Sequence, residues 1–125
     1  MGATNTKPRV EIKQRTYRYA LDLLKFLDKL DKLDWTVQVI SKQLLRCGTS
    51  IGANIIEAQA GSTRKDFTNF ITHSLKSANE SKFWICLLRD SGKGDRVIRD
   101  NLLSETVEIA NILAASVITL KNKIK

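Results

Sequence analysis

Four long segments of this chain carry apolar residues at helical spacing, and almost nothing inside them would break a helix. Apolar side chains return every three or four residues, as on one face of an α-helix, and the chain contains one proline and six glycines. No stretch alternates apolar and polar residues long enough to predict a strand. The predicted helices span approximately Glu11–Lys32, Trp35–Ala60, Arg64–Ser91 and Arg96–Lys123.

Capping residues stand at the boundaries between these segments. Candidate N-caps are Asp34, Ser62 or Thr63, and Asp95. Gly61 and Gly92 lie where a left-handed C-terminal residue is favoured. Because the connections are short, consecutive helices must be antiparallel neighbours. The sequence therefore predicts an all-α, up-down-up-down antiparallel four-helix bundle over residues 10–125, preceded by a flexible basic tail at residues 1–9.

The N-terminal region and the cysteines indicate the cellular compartment of the protein. The first residues are basic and polar and lack the apolar segment of a signal peptide. No run of about 18 apolar residues predicts a membrane span. Cys47 and Cys86 fall at different levels along the axis of the predicted bundle, too far apart for a disulfide. We interpret both as small apolar core residues. We expect a cytoplasmic protein with no membrane contact.

The positive charge is concentrated at one end of the predicted bundle. The net charge is +8, and the excess falls at the start of the first helix, the turn between the second and third, and the end of the fourth. These three places meet in an antiparallel bundle. The pattern predicts an interface for nucleic-acid phosphates, with simple solvation of the tails as the alternative. The assigned residues are Lys7, Arg9, Lys13, Arg15, Arg18, Arg64, Lys65, Lys121 and Lys123.

Neither tyrosine near this end is expected to bind bases. Tyr17 lies on the apolar stripe of the first helix, and Tyr19 can pack between subunits. The sequence therefore predicts no aromatic platform for RNA and no sequence-specific readout.

A polar stripe borders the apolar face of the second helix. Ser50, Asn54 and Glu57 recur at helical spacing, and buried polar groups need partners. If residues on the second and third helices are level when their numbers sum to about 123, Asn69 and His73 face this stripe. We interpret these residues as an interhelix hydrogen-bond layer. The alternative is a solvent-facing or ligand-binding pocket lined by Asn54, Asn69 and His73.

Apolar residues also lie off the main stripes. Trp35, Phe83 and Trp84 are the leading candidates for an oligomer interface, because an apolar second face packs against a further surface. A homo-oligomer is the simplest interpretation. The alternative is that these side chains close the ends of the core.

Patterns typical of enzymes are missing from the sequence. His73 is the single histidine, so no pair of Glu-x-x-His motifs can build a di-metal site. Neither a Gly-x-Ser-x-Gly nucleophile elbow nor a phosphate-binding loop occurs. We expect no catalytic residues, no metal and no cofactor.

The segment from Arg46 to Ala58 resembles the signature of a known family. In that family, Ser-Ile-x-Ala-Asn-Ile-x-Glu-Gly ends the second helix, and this chain has Ser-Ile-Gly-Ala-Asn-Ile-Ile-Glu-Ala over residues 50–58. Ser62-Thr-Arg-Lys-Asp-Phe67 is similar to the family's next helix start, and Ser74-Leu-Lys-Ser-Ala-Asn-Glu80 to its Ser-x-x-Glu element. The family is that of the rRNA intervening-sequence proteins, also called four-helix-bundle proteins. The chain departs from the pattern at Ala58, where the family has Gly.

The resemblance implies a helical bundle without known catalytic activity that assembles into a ring-like pentamer. Genes of the family are often inserted in the large-subunit rRNA gene of bacteria. We interpret the motif residues Ser50, Asn54, Glu57 and Glu80 as structural, because buried polar groups need hydrogen-bond partners. A more distant branch looks like the accessory protein of diversity-generating retroelements, which binds a reverse transcriptase and nucleic acid.

Besides a small-molecule pocket lined by Asn54, Asn69 and His73, two functions remain open from the sequence. The first is a non-enzymatic, oligomeric bundle that binds RNA or DNA backbones through its basic end. The alternative is a protein-interaction scaffold or accessory subunit for a nucleic-acid enzyme such as a reverse transcriptase.

Overall fold

Four α-helices make up the part of the chain that the computed structural model describes, residues 11–124 with side chains as far as Lys123. The helices are α1 (Ile12–Asp28), α2 (Trp35–Ala60), α3 (Arg64–Asp90) and α4 (Arg96–Ile124). Each helix packs against its two neighbours in the closed order α1, α2, α3, α4, and within the described residues no Cα atoms of the diagonal pairs lie within 8 Å of each other. The all-α, up-down-up-down bundle is confirmed. The predicted tail at residues 1–9 lies outside the described residues.

The helix starts follow the predicted caps. Side-chain oxygens of Asp34, Thr63 and Asp95 each accept the backbone N–H three residues further on, at 3.0–3.1 Å. Thr63 rather than Ser62 caps α3. Each bond satisfies an N–H group that has no partner inside its own helix.

The two predicted turn glycines behave differently. Gly92 is left-handed, with φ 73°, as predicted. Gly61 has φ −67°, so the prediction of a left-handed cap there is wrong. Its backbone is extended because the chain runs directly from α2 to the cap of α3. Gly94 is also left-handed, with φ 85°.

Helix α1 differs from its prediction in length and in orientation. It ends at Asp28 instead of near Lys32, because the N–H groups of Lys29 and Leu30 bond to carbonyls only three residues back. The stripe that enters the core runs through Tyr19, Leu23 and Phe26. Tyr17, predicted on the apolar stripe, is 65% exposed.

A glycine on α2 accounts for this orientation of α1. A Cβ atom added at Gly48 would lie 2.3 Å from Leu23 Cδ2. One turn further on, a Cβ at Gly52 would lie 3.2 Å from Thr16 Oγ1. These two glycines let α1 approach α2 closely, and the recess at Gly48 receives Leu23.

Polar side chains from all four helices meet in the middle of the core. The Tyr19 hydroxyl lies 2.7 Å from Thr106 Oγ1, which itself donates to the carbonyl of Leu102. The tyrosine is therefore the donor in the first bond. Ser81 Oγ lies 3.2 Å from Cys47 Sγ. All four side chains are buried, so this central polar cluster of Tyr19, Cys47, Ser81 and Thr106 ties each helix to a neighbour.

Helix α4 is long and apolar enough to cross a membrane by length and composition, with a mean hydropathy of 1.4 in its most apolar window. Its buried residues, which include Leu102, Ile109 and Leu113, belong to the core between α1 and α3. Core helices of bundles pass the same test, so this helix is weak evidence for a membrane span.

Candidate functional site

The basic end is formed by the start of α1, the turn between α2 and α3, and the end of α4. The described cations there that are exposed and make no ion pair with another described residue are Lys13, Arg18, Arg64, Lys65, Lys121 and Lys123. Glu11, Glu57 and Asp66 are the acidic residues in the same turns. The predicted residues Lys7 and Arg9 lie outside the described part of the chain.

Arg15 does not belong to this set of accessible cations. Its guanidinium donates to both carboxylate oxygens of Glu105, at 2.7 and 2.8 Å, and to Glu108 at 2.6 Å. The hydrogen bond that Arg15 donates to Glu105 is the main reason that the pKa of Arg15 is raised. Two carboxylates already pair with this charge, so Arg15 ties α1 to α4, and we leave it out of the proposed phosphate-binding residues.

A groove of about 440 Å³ opens between α1 and α2 beside the basic end. Ala20, Gly52 and Ala53 keep it open, and Tyr17 and Ile56 stand along it. The lining contains no acidic residue, and its remaining members are Lys13, Gln14, Thr16, Arg18 and Thr49. The sequence missed this groove because it assigned Tyr17 to the core; the signal that could have found it is the small-residue pattern at positions 48, 52 and 53.

The predicted polar layer is only partly brought together. Asn54 Nδ2 donates to the carbonyl and the hydroxyl of Ser50, both at 2.9 Å. Ser77 Oγ lies 3.1 Å from Ser50 Oγ and joins α3 to α2. A neighbouring bond runs from Ser74 Oγ to the carbonyl of Ile51 at 2.7 Å. Serines of α3, rather than Asn69 and His73, are the partners of this stripe.

Three residues assigned to that layer lie outside it. Glu57, Asn69 and His73 are exposed, and the His73 ring packs edge-on against Phe70, with ring centroids 6.4 Å apart. The bond between Ser77 and Ser50 shows the reason. Level residues on α2 and α3 have numbers that sum to about 127 rather than 123, so His73 and Asn69 lie about one and two turns along α3 from the level of Ser50.

Glu80 takes no part in the hydrogen bonds between the serines of α2 and α3. Its Oε2 atom accepts the indole N–H of Trp84 at 3.0 Å and also pairs with Arg46 of α2. The Trp84 hydrogen bond is the largest cause of the lowered pKa of Glu80. The pair links α2 to α3 and fixes the indole ring.

The three predicted interface residues are exposed to different extents. Trp35 is 75% exposed and Phe83 is 56% exposed. Trp84 is half-buried, packs against the core and contacts Phe83 edge-on at 5.1 Å between ring centroids. The structure therefore leaves Trp35 and Phe83 available to a partner, while Trp84 also supports the bundle.

Titratable groups do not gather into a metal-binding or nucleophilic site in residues 11–124. No group of three His, Cys, Asp or Glu side chains there could hold a metal ion. Cys47 is buried in the central polar cluster, and burial raises the pKa of its thiol. A buried thiol of raised pKa is a poor nucleophile.

The sequence profile of the 23S rRNA-intervening sequence protein family matches residues 9–115. The chain belongs to this family. A crystal structure of a protein of unknown function from the S23 ribosomal protein family of Bacteroides thetaiotaomicron superposes with a TM-score of 0.77 and 33% sequence identity, over 85% of this chain and 94% of that one. Comparison with functionally curated proteins gives no match.

The family's helix-two pattern is a packing element in this member of the 23S rRNA-intervening sequence proteins. Ile51 and Ile55 enter the core, and Gly52 allows α1 to approach. Ala58, where the resemblance predicts Gly, is 1% exposed. A methyl group therefore fits at that position. The pattern explains how α2 joins its neighbours and assigns no catalytic residue.

Proposed function

We propose that this protein is a non-enzymatic homo-oligomer that binds the phosphate backbone of nucleic acid through its basic end, in the cytoplasm. The observation that carries the proposal is the set of exposed cations without ion-pair partners among the described residues, in turns that hold few carboxylates. Backbone contacts of this kind release counterions and depend steeply on salt.

Self-association is supported by the apolar residues that the bundle leaves uncovered. Trp35, Val39, Leu45, Phe83 and Leu87 are each at least 40% exposed. Contiguous apolar surface on a soluble protein typically marks an interface, and most soluble oligomers are closed assemblies of one chain. The ring-like pentamer implied by the family resemblance would place five basic ends on one side.

Fluorescence anisotropy with labelled RNA and duplex DNA tests the binding proposal. We expect affinity at about 50 mM salt to fall by orders of magnitude at about 200 mM salt. The test variant reverses four exposed cations of the basic end to Glu: Lys13, Arg18, Arg64 and Lys65. It should lose binding while its circular dichroism is unchanged.

A matched control reverses four exposed cations elsewhere: Lys25, Lys29, Lys42 and Arg96. Both variants change the net charge equally. Equal loss of binding in the two variants would show that net charge, rather than the basic end, attracts the nucleic acid. Retained binding in the test variant contradicts the proposal.

A second function is favoured by the exposure of Trp35 and Phe83. In this alternative the protein is a scaffold or an accessory subunit for a nucleic-acid enzyme such as a reverse transcriptase, and the charge serves solubility. Light scattering of Phe83→Ser distinguishes the two functions. If Phe83 lies between identical subunits, the substitution lowers the mass of the oligomer. If Phe83 binds another protein instead, the mass of the isolated protein is unchanged and only the complex with that protein is lost.

A further inference from the structure

We propose that the groove between α1 and α2 is a nucleobase pocket, in which an unpaired base of single-stranded nucleic acid stacks on Tyr17 while Lys13 and Arg18 hold the adjoining phosphates. This inference rests on the proposed function and adds a ligand class and a site to it. Backbone binding needs only charge, whereas this groove adds an aromatic face and a cleft.

The exposure of Tyr17 is the first observation behind the pocket. The side chain is 65% exposed and lines the groove. The other tyrosine, Tyr19, is 1% exposed and hydrogen-bonded to Thr106. A large aromatic side chain directed away from the core loses apolar burial, and base stacking is a use that repays this loss.

The shape of the groove is the second observation. Its volume of about 440 Å³ falls within the usual range of ligand sites. The small side chains of Ala20, Gly52 and Ala53 line it, so a flat ring can lie against Tyr17 without displacing a bulky group. The close approach of Gly52 to Thr16 brings α1 and α2 together at this place.

Charge identifies the occupant. The lining includes two cations, Lys13 and Arg18, and no acidic residue. The neighbouring groove between α1 and α4 is lined by two lysines, Lys25 and Lys29, and by two carboxylates, Asp22 and Glu105, so its lining carries no net positive charge. A third groove, lined by Ile12 and Phe67, has no charged residue. Of these three, the α1–α2 groove is the one that combines an exposed aromatic ring with cations and no carboxylate, a combination that single-strand binding sites use.

The hydrogen-bonding groups along the groove do not select one base over another. The hydroxyl groups of Thr16 and Thr49 donate to carbonyls of their own helices, so they offer only lone pairs to a ligand. Gln14 is exposed on the rim. We therefore expect stacking to dominate, with little discrimination between bases.

Paired oligonucleotides test the pocket. The probes are a fluorescein-labelled oligouridylate and an oligomer of the same length made of abasic sites, so that the two differ only in their bases. Tyr17→Ala should weaken binding of the oligouridylate at least about fivefold and leave the abasic oligomer unaffected. Tyr17→Phe keeps the ring and should retain full affinity.

The control variant is Leu24→Ala. Leu24 lies on the same exposed stripe of α1 and is 42% exposed, but it does not line the groove, so its replacement should change neither affinity. Equal binding of the oligouridylate by wild type and Tyr17→Ala overturns the pocket while the basic-end proposal stands. A drop in mass on light scattering for Tyr17→Ala also overturns it, because the groove would then be a contact between subunits. Failure of wild type to bind either probe at low salt overturns the proposed function itself.

Discussion

The two glycines in the turn between α3 and α4 allow two causes of destabilisation by a Gly→Ala substitution to be measured separately: backbone strain and steric conflict. Gly92 and Gly94 are both left-handed, with φ of 73° and 85°. A Cβ at Gly92 would meet nothing within 4 Å. A Cβ at Gly94 would lie 2.9 Å from Phe26 Cζ and 3.0 Å from Leu30 Cδ2. The two positions thus share the conformational strain but differ in steric conflict.

The magnitudes follow from this difference. A left-handed alanine costs about 1–2 kcal/mol, which is the whole expected effect of Gly92→Ala. Phe26 and Leu30 are 1% and 4% exposed, so neither side chain can move into solvent to admit a methyl group. Overpacking adds about 1–3 kcal/mol. We expect Gly94→Ala to lower the free energy of unfolding by about 2–5 kcal/mol in all.

Urea denaturation at one fixed protein concentration measures both effects. With a slope typical of small proteins, Gly94→Ala should shift the midpoint by about 1–2 M, and Gly92→Ala by about half as much. Gly92→Asn should recover stability, since Asn tolerates the left-handed region, whereas Gly94→Asn should not. Equal losses for the two alanine variants would refute the reasoning from contact with α1.

Three further predictions concern the contacts between helices. Gly48→Ala should destabilise the fold by about 1 kcal/mol, because overpacking against Leu23 exceeds the gain in helix propensity. In a double-mutant cycle with Leu23→Ala by urea denaturation, the penalty of Gly48→Ala should vanish. Arg15→Gln should cost about 1 kcal/mol yet leave oligonucleotide affinity unchanged in anisotropy, since its charge is already paired; a large loss of affinity would contradict that assignment. The hydrogen bond from Lys93 is the main reason that the pKa of Asp34 is lowered to about 2. Because the folded pKa lies below the unfolded one, this bond stabilises the fold fully above about pH 4 and is lost as pH falls towards 2; acid titration by circular dichroism of Asp34→Asn should show a flatter acid limb than wild type.

Local signals in the sequence were sufficient for most of the architecture. Caps such as Asp34 and Thr63 act through residues three positions away, so the starts of α2 and α3 can be read without knowledge of the fold. The predicted end of α1 is less accurate, because no glycine or proline follows Asp28 to mark it. The tightening of its last turn became visible only in three dimensions.

Contacts between distant segments explain what the sequence could not supply. Helix α1 carries two apolar stripes, and periodicity alone does not reveal which one enters the core. The recess at Gly48 selects the stripe that contains Leu23, and this choice exposes Tyr17. Likewise, Arg15 pairs with the carboxylate of Glu105, which is distant in the sequence. The sequence alone therefore does not show that the charge of Arg15 is already paired.

The seam between α1 and α4 has a consequence for how the bundle opens. Contacts across it are sparser than those across the other three seams. The polar ties there are the Tyr19–Thr106 hydrogen bond and the ion pairs of Arg15. Segments with the fewest tertiary contacts exchange their amide protons through partial unfolding below the global free energy. Of the four helices, α1 is therefore the one that we expect to detach at the lowest energetic cost, and it carries with it Lys13, Tyr17 and Arg18.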